Sequence, residues 1–374
     1  MSKQLTIVQL LPDLESGGVE KGTLEIAKAI VEAGHRSIVI SAGGRLVKLL
    51  EQQGSEHIQW DLGKKSLLTF FQAGKLRAWL KDNQIDIVHA RSRLPAWVAW
   101  LAWRKMPVNN RPHFVTTMHG LNSVSRYSKV MTYGEKVIAV SNTVKDYLLK
   151  HYPNTPEDKI VTIARGIDAE EFPFAYQPED EWLDSWYQAF PQTKGKWLIT
   201  LPGRLTRLKG HNDFIGVIKQ IRSNNSEIHG LIVGGEDPKR KQYAQELYQR
   251  VKAEGLEDAI TFTGYRSDMR DIYSISAAVL SLSTKPESFG RTAVEAISLG
   301  KAVIAYDHGG VGETLGSIYP VGLVPLNDTE QVAVRCKRLY EGEILAPQAA
   351  LTHYRKQDML DKTLALYESL NGNS

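Results

Sequence analysis

The sequence has little cysteine and no long apolar run. These two absences exclude several classes of protein. One cysteine, Cys336, among 374 residues excludes an intrachain disulfide framework and a cysteine-based zinc or iron–sulfur site. The longest apolar run, AWVAWLAW at residues 96–103, is far shorter than the roughly 20 residues that span a bilayer. The N-terminus reaches Asp13 and Glu15 too early for a signal peptide. We therefore expect a cytoplasmic protein.

Common nucleotide and metal motifs are missing as well. The glycine turn ESGGVEKG at residues 15–22 is neither G-x-G-x-x-G nor a P-loop, because its glycines stand at 17, 18 and 22 and the P-loop lysine is absent. Such a turn still lets backbone approach a ligand closely. No metal-binding D-x-D follows a predicted strand, so we expect no metal site.

Composition and charge describe an ordinary globular protein. The hydrophobic fraction is 42% and the charged fraction 24%, as in folded domains, and a chain of this length predicts two of them. The net charge of +4 is concentrated locally, since residues 60–105 carry nine Lys or Arg against three Asp, a local charge of +6. Residues 181–374 are neutral overall, with 23 cations and 23 acids, which argues against a nucleic-acid partner.

Short β-branched runs alternate with amphipathic stretches, which is typical of parallel sheets with crossover helices. The runs are almost continuously apolar, so we expect strands that are covered on both faces. A helix is predicted at 19–33, and Ser141 is predicted to cap a second helix. The predicted strands are 5–12, 36–41, 85–90, 113–118, 136–141 and 160–164 in the first half, then 196–202, 228–235, 259–264, 277–283, 301–307 and 322–326.

Residues 173–195 predict a connection between two domains, because they hold three prolines, several acids and no sustained period. The predicted domains are 1–180 and 195–352. A terminal helix at 353–374 can pack back on the first domain. The fold class is α/β with two doubly wound domains, and ligands should bind in the cleft between their sheets.

Two glutamates with seven residues between them, Glu287 and Glu295, are the most informative motif. On one continuous helix they would lie about 12 Å apart along the axis. A shared ligand therefore requires Glu287 on a loop and Glu295 on the first turns of a helix that begins near Gly290. The backbone N–H groups of residues 289–291 would then form an anion site. This predicts a ligand with phosphate at one end and hydroxyls at the other; the alternative is two ordinary surface glutamates.

A second motif, GRLTRLKGH at residues 203–211, directly follows the predicted strand 196–202. Its Arg204 and Lys209 would leave the carboxyl end of that strand, where open α/β sheets bind ligands. Two cations there could hold a diphosphate. The alternative is an ordinary basic turn.

Together these segments resemble the retaining GT-B glycosyltransferases of family 4. The motifs GGVE, IAVSNTVKDYL, RGID at 165–168, GRL…KG and ESFGRTAVE follow the family's order over nearly the whole chain. A narrower resemblance is to the branch of the family that builds bacterial lipopolysaccharide core and other surface glycans, and it lies in the segments DIVHARSRLPAW…HFVTTMHG…VIAVS. The resemblance implies two Rossmann-like domains facing each other across a cleft. It also implies transfer of a hexose from a nucleoside diphosphate sugar, with a UDP-sugar as the expected donor, to a surface glycan or lipid-linked acceptor. No further cofactor is expected, and the absence of a D-x-D motif predicts a metal-independent reaction.

The resemblance also implies residue roles. Arg204 and Lys209 would neutralise the donor diphosphate, and Glu295 would hold the ribose. Glu287 would hold the transferred sugar, and His119 would contact it near its reacting carbon. The implied catalytic residues are His119, Arg204, Lys209 and Glu287; the implied donor-binding residues are Gly17, Gly18, Tyr265, Arg266, Ser288, Phe289, Gly290, Arg291 and Glu295. Glu313 follows in DHGGVGETL without an assigned role.

A basic amphipathic stretch at residues 64–81 predicts contact with an anionic membrane, with Trp97, Trp100 and Trp103 as interfacial anchors. Residues 64–105 would then hold the protein on the inner face of the cytoplasmic membrane. The competing interpretation makes these side chains the buried faces of crossover helices.

Two other functions stay open at this point. The same fold could serve a nucleotide-sugar epimerase or a synthase that acts on a small soluble sugar. A non-enzymatic protein that binds membrane or nucleic acid is the alternative of another class.

Overall fold

The computed structural model describes residues 3–15, 17–223, 225–237 and 241–372. The chain divides into two compact units, Met1–Ala164 with Gln357–Ser374, and Arg165–Lys356. Each unit contains its own parallel sheet with helices around it. The predicted fold class of two doubly wound α/β domains is confirmed.

In the described part of the first unit, seven parallel strands form one sheet in the order β3-β2-β1-β4-β5-β6-β7. All six strands predicted there are present. The edge strand β3 was not predicted, because its sequence EHIQ contains no apolar run and is only partly buried. The strands are β1 (Thr6–Leu10), β2 (Arg36–Ser41), β3 (Glu56–Gln59), β4 (Ile87–Ala90), β5 (His113–Met118), β6 (Lys136–Ala139) and β7 (Ile160–Thr162).

Six helices connect these strands in the described residues. The predicted cap is confirmed, because the Ser141 hydroxyl accepts a hydrogen bond from the Val144 N–H at 3.1 Å. The helices are α1 (Gly18–Glu32), α2 (Val47–Gln52), α3 (Leu68–Phe71), α4 (Ala73–Asp82), α5 (Arg93–Trp103) and α6 (Asn142–His151).

The three tryptophans of α5 pack against the first unit to different degrees. Trp103 is buried and donates to the Pro112 carbonyl at 2.7 Å. Trp97 and Trp100 pack against the core and against the ring of Tyr133. The interpretation as the buried face of a crossover helix is confirmed for Trp103, whereas Trp97 and Trp100 are only partly buried and their contact with a membrane stays a prediction.

The second unit has a six-stranded parallel sheet in its described residues, in the order β10-β9-β8-β11-β12-β13. Its strands are β8 (Trp197–Pro202), β9 (Ile228–Val233), β10 (Ile260–Gly264), β11 (Ala278–Ser281), β12 (Ala302–Tyr306) and β13 (Leu323–Val324). Its helices are α7 (Asp180–Ala189), α8 (His211–Arg222), α9 (Lys241–Ala253), α10 (Met269–Ile275), α11 (Arg291–Ser298), α12 (Gly309–Ile318) and α13 (Thr329–Tyr340).

The prediction that residues 173–195 only connect two domains is wrong, because they fold within the second unit and contain α7. Trp182, Trp186 and Phe190 recur every four residues and so share one helix face. Trp186 is buried against Leu198 of β8. The acids on the opposite face conceal this period in the sequence.

The last helix, α14 (Lys356–Leu370), packs in the first unit from Gln357 onward; residues 373–374 of the predicted terminal helix lie outside the described residues. Tyr367 is fully buried there, and its hydroxyl lies 2.6 Å from Nδ1 of His89 in β4. The other nitrogen of His89 lies 2.6 Å from the Thr117 hydroxyl. Burial holds the pKa of His89 well below its ordinary value, so a neutral imidazole links α14 to β4 and β5.

In each sheet the strand order reverses at one place, between β1 and β4 in the first unit and between β8 and β11 in the second. Open α/β sheets bind ligands at the carboxyl ends of the strands beside such a switch point. None of the helices in the described residues is long and apolar enough to cross a bilayer.

The substitution Tyr367→Phe should lower the stability of the protein by about 1–3 kcal/mol, because it leaves a buried nitrogen of His89 without its partner. The matched control is Tyr340→Phe, whose hydroxyl donates to the exposed Glu227 at 2.9 Å. Urea unfolding should show a lower midpoint for the first variant alone. Equal midpoints for the two variants would contradict the structural role of the His89 bond.

Candidate functional site

The loops after β8 and β11 meet at the switch point of the second sheet. The first loop carries Arg204 and Lys209, and the second carries Glu287. The Thr284 N–H donates to the Leu208 carbonyl at 3.0 Å and so joins the two loops. Two motifs that lie almost eighty positions apart in the sequence thus form one cluster.

Lys209 and Glu287 form an ion pair in this cluster. The Lys209 Nζ atom lies 2.6 Å from Glu287 Oε1, and the Ser283 hydroxyl donates to the same oxygen. Burial by itself would raise the pKa of Glu287, but the charge of Lys209 and these two hydrogen bonds outweigh it and hold the pKa below its ordinary value. Glu287 therefore remains ionised. Both donors contact Oε1, so among the residues that the structure describes Oε2 stays available for a further hydrogen bond.

Two glycines allow the loops to come this close. Gly210 has a φ of +73°, and a Cβ atom there would lie 2.1 Å from the Leu282 carbonyl oxygen. A Cβ at Gly203, whose φ is +140°, would lie 3.2 Å from Cδ of Lys209. A side chain at Gly210 would therefore force the two loops apart, and one at Gly203 would crowd the stem of Lys209.

Arg204 differs from its neighbour Arg207. Arg204 is exposed, and within the described part of the chain it makes no hydrogen bond or ion pair. Arg207 pairs with Glu246 at 2.5 Å and covers the ring of Tyr243. Arg204 is therefore the cation of this loop that a ligand could engage without breaking an existing contact.

The predicted helix start at Gly290 is confirmed, since α11 begins at Arg291 with Gly290 as its N-cap at a φ of +87°. Ser288 and the buried Phe289 lead into it. A Cβ at Gly310 would lie 2.4 Å from the Phe289 nitrogen, so the start of α12 presses directly on this segment. This close contact fixes the backbone of residues 288–290. The start of α11 lies at the same edge of the second sheet as the Lys209–Glu287 ion pair.

Glu295 lies one turn into α11, where Arg291 Nε donates to its Oε1 at 2.7 Å. Its carboxylate is mostly buried and lines a pocket of about 360 Å³ together with residues 267–271. These residues directly follow Tyr265 and Arg266. The structure thus places Glu295 beside the segment that follows two of the implied donor-binding residues.

Tyr265 and Arg266 have different surroundings. The Tyr265 side chain is 74% exposed and packs beside Gly235. Arg266 pairs with Asp268 at 2.5 Å and lies over the ring of Trp186. The side chain of Arg266 is therefore engaged within the unit, whereas that of Tyr265 is open to solvent.

Sequence reasoning missed two residues of this site, Ser283 and Tyr273. Ser283 is the last residue of the predicted strand 277–283 and stands four positions before Glu287. This position at a strand end is the sequence signal that could have identified it. Tyr273 is fully buried, and its hydroxyl has no hydrogen-bond partner among the residues described. Burial, and then the charge of Glu295, raises the pKa of Tyr273 well above its ordinary value. Its place beside α11 depends on tertiary packing that no local pattern reveals.

In the first unit, the predicted glycine turn lies at the carboxyl end of β1. Gly17 is the N-cap of α1, and Gly18 is the first residue of that helix. Ser16 of the same turn lies outside the described residues. His119 follows β5 at the same edge of the sheet and is half-buried. Glu313 lies in α12 of the second unit.

A buried arginine that was not predicted lies beneath α1. Arg91 directly follows β4, and its Nη1 donates to the side chain of Gln9 at 3.0 Å. A Cβ at Gly22 would lie 3.2 Å from the Arg91 Nη2 atom. Burial lowers the pKa of Arg91 to about 10. The switch point of the first sheet therefore carries a positive charge beneath the first turns of α1.

In the described ranges, no group of three or more His, Cys, Asp or Glu residues has the arrangement of a metal site.

Comparison with known proteins covers most of the chain. "Glycosyltransferase Family 4" matches residues 16–171, and "Glycosyl transferases group 1" matches residues 184–357. A solved glycosyltransferase from Rickettsia africae ESF-5 is 31% identical, covers 99% of this chain and 100% of its own, and superposes with a TM-score of 0.86.

Two further proteins are similar over different extents. Anabaena Alr3699/HepE, solved in complex with UDP, is 21% identical over 98% of this chain and 100% of its own, with a TM-score of 0.79, which shows a common fold. The mannosylfructose-phosphate synthase of Agrobacterium fabrum is 33% identical over 184 residues. That match covers 47% of this chain and only 38% of the synthase.

The substitution Lys209→Met should destabilise the protein by about 1–3 kcal/mol near neutral pH, because it leaves the Glu287 carboxylate buried without its cation. The folded-state pKa of Glu287 is lowered, so its stabilising contribution is present above the ordinary value of 4.5 and is lost as the pH falls below it. The difference in unfolding free energy between the wild type and this variant should therefore shrink in acid.

The matched control is Lys285→Met, which removes an exposed cation from the loop that carries Glu287. Urea unfolding at a series of pH values measures both variants. A stability loss for Lys209→Met that does not change with pH would contradict the pairing.

Proposed function

Because this chain belongs to glycosyltransferase family 4, group 1, we propose that it transfers a hexose from a nucleoside diphosphate sugar to a glycan or lipid-linked acceptor. The observation that carries the proposal is the Lys209–Glu287 pair at the switch point of the second sheet. It places the Lys209 ammonium group, which is suited to a phosphate, beside the Glu287 carboxylate, which is suited to sugar hydroxyls. A UDP-sugar is the donor we favour, since HepE of the same fold is solved with UDP.

The cations of the second unit stabilise the leaving diphosphate. Breakage of the sugar–phosphate bond develops negative charge on the diphosphate, and fixed positive groups lower the barrier by stabilising that charge. Arg204 offers an exposed guanidinium fork. The Lys209 ammonium has three donors, and one of them goes to Glu287. The others, with the backbone at the start of α11, hold the second phosphate.

The two glutamates bind hydroxyl groups at either end of the donor. Glu287 uses Oε2 to accept a hydrogen bond from the transferred sugar, while Ser283 and Lys209 fix its Oε1. Glu295, held by Arg291, accepts from the ribose. The backbone at Tyr265 and Arg266 meets the base.

Residues of the first unit complete the reaction. Gly17 and Gly18 bring backbone N–H groups to the donor phosphates, and His119 contacts the transferred sugar near its reacting carbon. The acceptor hydroxyl attacks the anomeric carbon from the face that the diphosphate leaves. A bond forms between the acceptor oxygen and the anomeric carbon, and the bond between that carbon and the diphosphate oxygen breaks. The proton of the acceptor hydroxyl passes to the departing diphosphate. The configuration at the anomeric carbon is retained, and no metal ion is required.

A second candidate keeps the donor chemistry and changes the acceptor. The relative named mannosylfructose-phosphate synthase matches 47% of this chain at 33% identity, which favours a small soluble sugar or sugar phosphate as the acceptor. The lipopolysaccharide-core acceptor rests on the sequence resemblance of DIVHARSRLPAW and the segments that follow it.

The substitution Arg204→Ala should weaken UDP binding about 10- to 100-fold, because it removes a charge-assisted hydrogen bond to the diphosphate. Arg207→Ala is the control, since Arg207 is paired with Glu246 in the same loop. Titration calorimetry with UDP should show the loss for the first variant and near-wild-type affinity for the second. Unchanged UDP affinity in Arg204→Ala would remove the assigned donor role.

Product analysis distinguishes the two acceptor classes. We expect sugar transfer from a UDP-sugar to a lipid-linked or lipopolysaccharide-core acceptor, with UDP released in equal amount and the anomeric configuration of the donor preserved in the nuclear magnetic resonance spectrum of the product. Transfer to fructose 6-phosphate or inositol phosphate but not to the glycolipid would replace the first candidate by the second. An inverted product would refute the retaining mechanism.

A further inference from the structure

Three large apolar side chains project from one short turn of the first unit. Leu67, Leu68 and Phe71 are 80%, 73% and 80% exposed. They lie in and beside α3, within the stretch 64–81 that the sequence marked as amphipathic. The other apolar residues of that stretch behave differently, since Leu76 and the neighbouring face of α4 are buried. Exposed apolar groups concentrated in this way mark interaction sites.

The turn is held in place from within. Thr69 is buried, and its hydroxyl donates to the Lys64 carbonyl at 2.7 Å. Gln72, directly after α3, accepts a hydrogen bond from the indole N–H of Trp60. Because these contacts fix the backbone, the outward direction of Leu68 and Phe71 is a property of the fold.

A second loop extends the apolar area. Val124 and Tyr127 are also exposed. Leu67, Phe70 and Tyr127 line one pocket of about 350 Å³, so α3 and this loop form a continuous surface. We call Leu67, Leu68, Phe71, Val124 and Tyr127 the apolar patch.

Cations surround the apolar patch. Lys64 and Lys65 are exposed directly before α3. Beside Tyr127, the side chains of Arg126, Lys129 and His151 line a second pocket of about 250 Å³, whose lining includes no acid. Among the residues that the structure describes, Arg126 and Lys129 form no ion pair. An anionic group would therefore be attracted to this pocket.

We propose that the apolar patch docks the first unit on an anionic lipid bilayer, with Leu67, Leu68 and Phe71 in the acyl boundary and a lipid phosphate in the Arg126 pocket. Apolar side chains that enter the interface and cations that meet anionic headgroups are the two contributions that bind a protein to such a surface. The inference rests on the proposed function only in that a lipid-linked acceptor would lie in the same membrane.

Vesicle flotation tests the two contributions separately. The wild type should bind vesicles of phosphatidylcholine with about a quarter phosphatidylglycerol at low salt, and bind less at about 0.5 M salt, where charges are screened. Leu68→Ser with Phe71→Ser should reduce the bound fraction at least about tenfold, because it removes the apolar contribution. Arg126→Ala with Lys129→Ala should reduce binding to anionic vesicles and leave the weak binding to pure phosphatidylcholine unchanged.

Val108→Ser is the matched control, since Val108 is 73% exposed in the same unit but lies outside the apolar patch. It should bind like the wild type, and all variants should keep the wild-type unfolding midpoint. Absence of wild-type binding, or equal binding by the Leu68→Ser, Phe71→Ser variant, would overturn the proposal. A dimer in sedimentation equilibrium that this variant abolishes while vesicle binding persists would assign the patch to a second copy of the chain instead.

A fluorescent label reports insertion directly. The single cysteine, Cys336, is fully buried, so Phe71→Cys would supply the accessible thiol for a polarity-sensitive dye. Its emission should shift to shorter wavelength on anionic vesicles, and the dye on Val108→Cys should not shift. No shift at position 71 would overturn the proposal. Continued transfer to a soluble acceptor fragment in that case would leave the proposed function intact.

Discussion

The arrangement of the second unit depends on one constraint, the approach of the loops after β8 and β11 that lets Lys209 reach Glu287. Half-buried ion pairs add little net stability, because loss of hydration offsets their attraction. The pair is therefore better explained by what it positions than by what it stabilises. It keeps the Glu287 carboxylate ionised although burial opposes its charge, and under the proposed function it places the Lys209 ammonium group beside both the donor phosphate and the transferred sugar. Gly203 and Gly210 are the structural requirement for this geometry.

The first unit has a buried arginine, and no direct ion pair like that of Lys209, at the switch point of its described sheet between β1 and β4. Arg91 is buried beside the neutral Gln9 and beneath the first turns of α1. Removing a cation from water is costly, and burial lowers the pKa of Arg91 although the charge of Glu25 opposes that shift. A positive group at the start of a helix also adds to the field of the helix dipole. Each sheet thus carries a cation at its own switch point: Arg91 acts at a distance with Glu25 in the first unit, and Lys209 pairs directly with Glu287 in the second.

The sequence predicts those parts of the fold and site that local chemistry determines. Continuous apolar runs identified almost all strands, and the spacing of Glu287 and Glu295 around Gly290 identified the start of α11. Trp186 was missed because acids on the opposite face of α7 hid its period. Tyr273 and Arg91 were missed for another reason: the surroundings of both side chains come from distant segments. Local pattern cannot report such packing, so burial and partners had to come from the structure.

Residues 64–105 show where composition alone is ambiguous. Trp100 and Phe71 are both aromatic, both lie near cations, and both fitted a membrane-facing or a buried position. Trp100 packs against Tyr133 and under Arg104, so neighbouring side chains supply its cover. Phe71 stands on a turn fixed by Thr69 and Gln72, which cannot fold back to bury it. An apolar group held outward by its own backbone gains stability only from a partner outside the chain, and the cations around α3 favour a partner with negative charge.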